Sequence, residues 1–90
     1  MNGKDIKVGR FYKHSAPING YLEFVTHNNK GRVGYTYIYL ERPTRESRSS
    51  DSVNMYVKST KPISLIKITL LYGENKAIMN WVDKQIKGNK

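Results

Sequence analysis

Strand-like apolar patterning recurs in short segments of this chain, cleanest as period-two alternation at 53–58, and its C-terminal stretch switches to helical spacing. Residues 8–13, VGRFYK, combine strand-forming side chains with a glycine that tolerates close backbone approach, and they read as a first strand. Residues 14–20, with Pro17 and Asn19-Gly20, read as a loop or turn, because proline fixes its own torsion and Asn-Gly takes positive φ readily. A second strand follows from residue 21 to about residue 27.

Asn28-Asn29-Lys30-Gly31 then marks a hairpin, the strongest local signal in the chain. A three-residue loop of Asn29, Lys30 and Gly31, with the glycine in a left-handed bulge, sets Asn28 against Arg32, Phe24 against Thr36 and Leu22 against Ile38. Those side chains share one sheet face with Leu40. The other face carries Tyr35, Tyr37 and Tyr39, flanked by Tyr21, Glu23 and Val25. A two-residue turn at Lys30-Gly31 would slip the register by one and send the tyrosines to the Leu22 and Phe24 side. The turn chemistry favours the first arrangement.

Beyond Glu41 the pattern stops. Residues 42–52 hold no apolar side chain except Pro43, and they predict a mobile Arg/Ser-rich loop. Alternation resumes at 53–58, with Val53, Met55 and Val57 on one side, and predicts a fourth strand. A turn through Pro62 leads to 63–71, where Ile66, Ile68 and Leu70 line one face and Leu65, Lys67 and Thr69 the other, as in a fifth strand partly buried on both sides. Gly73 breaks this run. From about residue 75, Ile78, Trp81, Val82 and Ile86 recur at helical spacing as far as Gly88, which predicts an amphipathic helix packed across the sheet or over the open end of a small barrel.

The expected architecture is therefore α+β. It is a small, mostly antiparallel five-stranded sheet or barrel with one C-terminal helix, similar to SH3-like and OB-like barrels in element count alone. At 90 residues, 38% of them hydrophobic, the chain has room for one modest core, so 1–90 is taken as a single domain. Without cysteine there is no disulfide framework or thiolate metal site. The first eight residues carry Lys4, Asp5 and Lys7 with no apolar run behind them, which argues against a signal peptide or membrane span and leaves the cytoplasm as the default location.

Charge changes the picture most. The formal net charge is +9, and it is not confined to a tail. Lys4, Lys7, Arg10 and Lys13 face only Asp5, and Lys58, Lys61 and Lys67 lie in a stretch free of acids. A codon bias toward lysine, asparagine, isoleucine and tyrosine is the competing explanation for part of the excess, but it would not concentrate the charge in this way. An anionic partner is implied, either nucleic acid or an acidic protein or nucleoprotein surface.

Chemistry for catalysis is missing from the pattern. His14 and His27 have no ligand-spaced partner, so no metal is expected. His14-Ser15 lacks an orienting acid within reach, and adjacent side chains of a strand point to opposite faces. The glycines build no phosphate-cradling loop, no cofactor is implied, and the seven acids are scattered. The chain reads as a non-enzymatic binding protein.

Its candidate contacts are basic groups beside exposed aromatics, the combination that holds single-stranded nucleic acid through phosphate neutralisation and base stacking. Tyr35, Tyr37 and Tyr39 are the stacking candidates, and Arg42, Arg45 and Arg48, three of the chain's five arginines, follow in the next segment. Lys4, Lys7, Arg10, Lys13, Lys58 and Lys61 complete a phosphate track. Glu46 and Asp51 partly offset the arginines. The competing readings are that the tyrosines pack under the helix with their hydroxyls at its edge, and that the arginine segment is a solvated connector. Tyrosine and arginine also dominate protein interface hot spots, so a protein-interaction module or inhibitor that docks on an acidic surface is the alternative. Lipid binding is not expected, because the apolar stripe of the terminal helix is needed by the core. An uncovered sheet edge leaves homodimerisation open without specifying it.

Overall fold

The computed structural model describes residues 6–14 and 20–88, and it is built around the hairpin marked by Lys30-Gly31. Strands β2 (Tyr21–Asn29) and β3 (Arg32–Tyr39) pair antiparallel, with Phe24 opposite Thr36 and Leu22 opposite Ile38 as the sequence predicts. The route to that register differs from the expected one. Asn29 pairs directly with Arg32, so the turn has two residues, Lys30 and Gly31, both at positive φ as a mirror-image hairpin turn requires. A β-bulge between Val25 and His27 then takes up one residue and restores the pairing that the shorter turn would have displaced.

Around this hairpin β1 (Phe11–His14), β4 (Ser47–Ser52) and β5 (Thr60–Pro62) complete a five-stranded antiparallel sheet in the order β4-β3-β2-β1-β5. The sheet is open, with β4 and β5 at opposite edges, so the α+β class holds and the sheet form of the expectation is the one adopted. Three helices rather than one accompany it among the described residues: α1 (Val53–Ser59), α2 (Leu65–Tyr72) and α3 (Lys76–Gly88).

Several predicted elements change type for identifiable reasons. Residues 53–58, expected as a strand, form α1, because Val53, Tyr56 and Val57 satisfy helical spacing as well as alternation, and the Ser52 hydroxyl accepts the Met55 N–H at 3.3 Å to cap the first turn. Residues 63–71, expected as the fifth strand, divide at Ser64, which caps α2 by accepting the Lys67 N–H at 3.1 Å. Ile68 then points into the core while Ile66 and Leu70 point away from it. The edge strand β4 occupies Ser47–Ser52, within the segment expected to be a loop; Tyr35 and Tyr37 pair with Ser49 and Ser47 across it. A strand so poor in apolar residues is invisible to hydrophobic patterning.

Both faces of the sheet are covered, by different means. On one face α2 and α3 bury Phe11, Leu22, Phe24 and Ile38 against Ile68, Ile78, Trp81 and Val82. Trp81 is core, as its helical spacing predicts, whereas Ile86 stays two-fifths exposed and Gln85 takes the buried position beside it. Glu46 holds this helix down, since its Oε1 accepts the Trp81 indole N–H at 3.0 Å and the Gln85 amide at 2.7 Å. On the other face α1 lays Tyr56 over Tyr12, Val25, Val33 and Tyr35. That helix covers only part of its face.

Candidate nucleic-acid interface

Alternation along β1, β2 and β3 sends Tyr12, His14, Tyr21, Glu23, Tyr35, Tyr37 and Tyr39 to the face that α1 shares. With Tyr56 from the helix, six of the chain's seven tyrosines gather there. Their exposure is graded. Tyr35 lies under α1 with a centroid distance of 5.1 Å to Tyr56 and is buried, Tyr37 is half-buried, and Tyr39 is 46% exposed. The stripe is covered at one end and exposed at the other, and its cover is α1 rather than the terminal helix under which the competing reading packs it, since α3 lies on the opposite face.

At the open end the rings form a continuous cluster across three strands. Tyr21 lies 4.7 Å from Tyr39, 5.3 Å from Tyr37 and 5.0 Å from the His14 imidazole, centroid to centroid. Tyr37 and Tyr39 meet edge to face at 5.8 Å, a preferred geometry for paired rings. The Tyr21 and Tyr37 hydroxyls are shifted above the ordinary tyrosine range, first by burial and then by the Tyr39 phenol, so they remain neutral donors at physiological pH. The structure adds His14 and Tyr21 to the site residues that the sequence pattern singles out. Tyr21 is legible from the register, but the Ser-Ala-Pro run after His14 reads as a loop that includes it.

The basic residues divide between the two faces. Arg42 and Arg45 are exposed in the segment that leaves Tyr39, where the Arg42 N–H donates to the Tyr39 carbonyl at 3.2 Å. Lys58 is exposed on the last turn of α1, two residues before Thr60, which pairs with His14. The segments that carry these three cations adjoin strands of the open ring cluster. Lys7 is exposed near the covered end, its N–H donating to the Tyr12 hydroxyl at 3.0 Å.

The remaining cations are not part of that cluster. Lys13 alternates with Tyr12 to the helix-pair face and sits opposite Lys61 across the β1–β5 ladder, a like-charged pair that disfavours the fold unless an anion lies nearby. Arg48, opposite Thr36, lines a cleft with Glu46, Lys84 and Gln85 beside α3, and Arg10 lines a groove with Phe11, Ile63 and Ile86. Lys4 lies outside the described residues.

The acids expected to offset the arginines are engaged elsewhere. Glu46 binds α3, with Lys84 3.6 Å from its Oε2, and Asp51 accepts the Tyr35 hydroxyl at 2.8 Å. Among the described residues the ion pairs are Lys84–Glu46 and Lys87–Asp83, so Arg42, Arg45 and Lys58 are free to meet an external anion. Likewise among the described residues, no cluster of three or more His, Asp or Glu side chains is arranged to hold a metal ion, and no helix is long and apolar enough to cross a membrane. Comparison with protein-family models, with curated proteins and with solved structures gives no match.

Proposed function

We propose that this chain is a non-enzymatic protein that binds single-stranded nucleic acid on the open end of its tyrosine face. Unpaired bases stack on Tyr21, Tyr37, Tyr39 and His14, while Arg42, Arg45 and Lys58 neutralise the adjoining phosphates. The observation that carries this reading is the three-strand ring cluster left uncovered by α1 and bordered by cations that form no ion pair among the described residues. Duplex DNA offers no unpaired base faces to such a platform, so single strands are preferred.

Fluorescence anisotropy with labelled single-stranded DNA, RNA and duplex DNA across a salt series tests it, with an unrelated small basic protein as control. The expected result is single-strand binding tighter than the control's, with log affinity falling linearly with log salt. Binding no tighter than the control's refutes the proposal.

A second reading has its own observation. Helix α2 exposes Leu65, Ile66, Leu70 and Leu71, with Ile66 and Leu70 about three-quarters exposed, and exposed apolar surface of this kind suits a protein partner. Lys67 on the same helix suits an acidic one. That complex would keep much of its affinity as salt rises, unlike the nucleic-acid complex.

A further inference from the structure

Glu23 occupies the centre of the tyrosine face, on the middle strand of the sheet, and is completely buried. Tyr12 from β1 and Tyr37 from β3 are its cross-strand neighbours. Tyr35, diagonal to it on β3, lies beside it, Tyr56 from α1 lies over it, and Asp51 from β4 adds a second negative charge to its surroundings. His14, Tyr21 and Tyr39 are the remaining titratable side chains of these strands on this face, at its open end, and Lys58 is the charged residue of α1. Neither carboxyl oxygen of Glu23 has a hydrogen-bond partner, and the Tyr56 hydroxyl, also completely buried, has none.

A neutral carboxylic acid tolerates such a place far better than a carboxylate, which needs water, donors or a cation. Burial pushes the Glu23 carboxyl up to about 7; Asp51 adds to that push, and the nearby Tyr56 hydroxyl opposes it. Ile6 covers part of this face beside α1, and the helical part of the cover is slight. Helix α1 has seven residues, too few to persist without the sheet, and it places only Tyr56 fully in the core, while Met55 on the same helix is 63% exposed.

We propose that Glu23 is a pH-sensitive latch on α1: the neutral acid lets the helix lie closed on the sheet, and the carboxylate admits water by lifting Tyr56 and the helix with it. On opening, the carboxyl proton passes to solvent and the Tyr12 and Tyr35 rings are uncovered. The row of rings on the sheet face becomes longer. Its use in regulating nucleic-acid binding rests on the function proposed above, whereas the latch itself does not.

Hydrogen exchange of the intact protein, read by mass spectrometry from pH 5.5 to 8 and corrected for the intrinsic pH dependence of exchange, tests the latch. The expected result is that residues 53–59 lose protection as pH rises, by about 30-fold over this interval for a carboxyl moved from 4.5 to about 7. Residues 76–88 keep theirs. Glu23→Gln abolishes the pH response, and His14→Gln retains it. Tyr56→Phe, which keeps the ring and removes the hydroxyl that favours the anion, moves the response to higher pH. Protection of 53–59 that is unchanged with pH, or a response that survives in Glu23→Gln, overturns the latch. Single-strand affinity measured on the same samples is a separate readout, and its absence beside an intact pH response contradicts only the nucleic-acid reading.

Discussion

The same three strands present opposite characters on their two faces. Toward α2 and α3 they offer Phe11, Leu22, Phe24 and Ile38, which interlock with Ile68, Ile78, Trp81 and Val82 into a core whose nearby polar groups are paired, as Thr36 is with Gln85 at 3.1 Å. Toward α1 they offer tyrosines around an unpartnered carboxyl, closed at one end and open at the other. The first face buries the larger apolar cluster, while the second buries Val25 and Val33 among its tyrosines. The second is free to keep polar, exposed and partly unsatisfied groups, as a binding surface needs.

The sharpest way to break this comparison is to attack the first face. Trp81→Ala removes the ring that packs 5.9 Å from Phe11 and frees Glu46, so unfolding in urea is expected to show a loss of about 3–5 kcal/mol. A loss no larger than that for a surface residue would mean that the helix pair is not the stabilising layer.

Next in size is Glu23. Its carboxyl is raised from 4.5 to about 7 in the fold, so the neutral form stabilises the native state below about pH 4.5 and that contribution is lost as pH rises through 7. Relative to Glu23→Gln, the natural protein is expected to lose on the order of 2–3 kcal/mol between pH 4.5 and 8, read from urea midpoints at each pH. Parallel curves for the two proteins would remove the carboxyl from this role.

Within the tyrosine face the gradient of exposure separates two outcomes. Tyr37→Ala is expected to weaken single-strand binding by about 1–3 kcal/mol while the protein stays folded. Tyr35→Ala, beneath α1, is expected to act mainly on stability, because it removes the ring that packs on Tyr56 and the hydroxyl that binds Asp51. Reversal of that order would place the interface at the wrong end of the stripe. The smallest effect belongs to the arginines. Changing Arg42 and Arg45 to alanine is expected to alter stability by less than about 0.5 kcal/mol and to flatten the salt dependence by about 0.7 for each phosphate no longer neutralised, whereas Arg48→Ala, which faces α3, leaves it unchanged.

Much of this division was legible in the sequence because register is a consequence of alternation. The hairpin signal at Lys30-Gly31 was enough to place Tyr35, Tyr37 and Tyr39 opposite the core face, although the turn is shorter than expected and the bulge near Thr26 repairs the difference. A bulge has no residue signature as strong as a turn's. The fourth and fifth strands failed for another reason. Val53 to Val57 and Ile63 to Leu71 fit period two and period 3.6 about equally over so few residues, and the deciding feature was a serine cap at each start, Ser52 and Ser64. Strand β4 escaped notice because an edge strand paired through its backbone needs no apolar side chains. The burial of Glu23 was not legible either, since a lone glutamate in an alternating strand marks the solvent face unless a later element covers it.

The most direct test of the interface is a nuclear magnetic resonance titration that follows the aromatic rings as a short oligothymidine is added. Saturable shifts of Tyr21, Tyr37, Tyr39 and His14, with the Trp81 indole unmoved, are the predicted result. Shifts absent from those rings, or centred instead on the exposed side of α2, would contradict it.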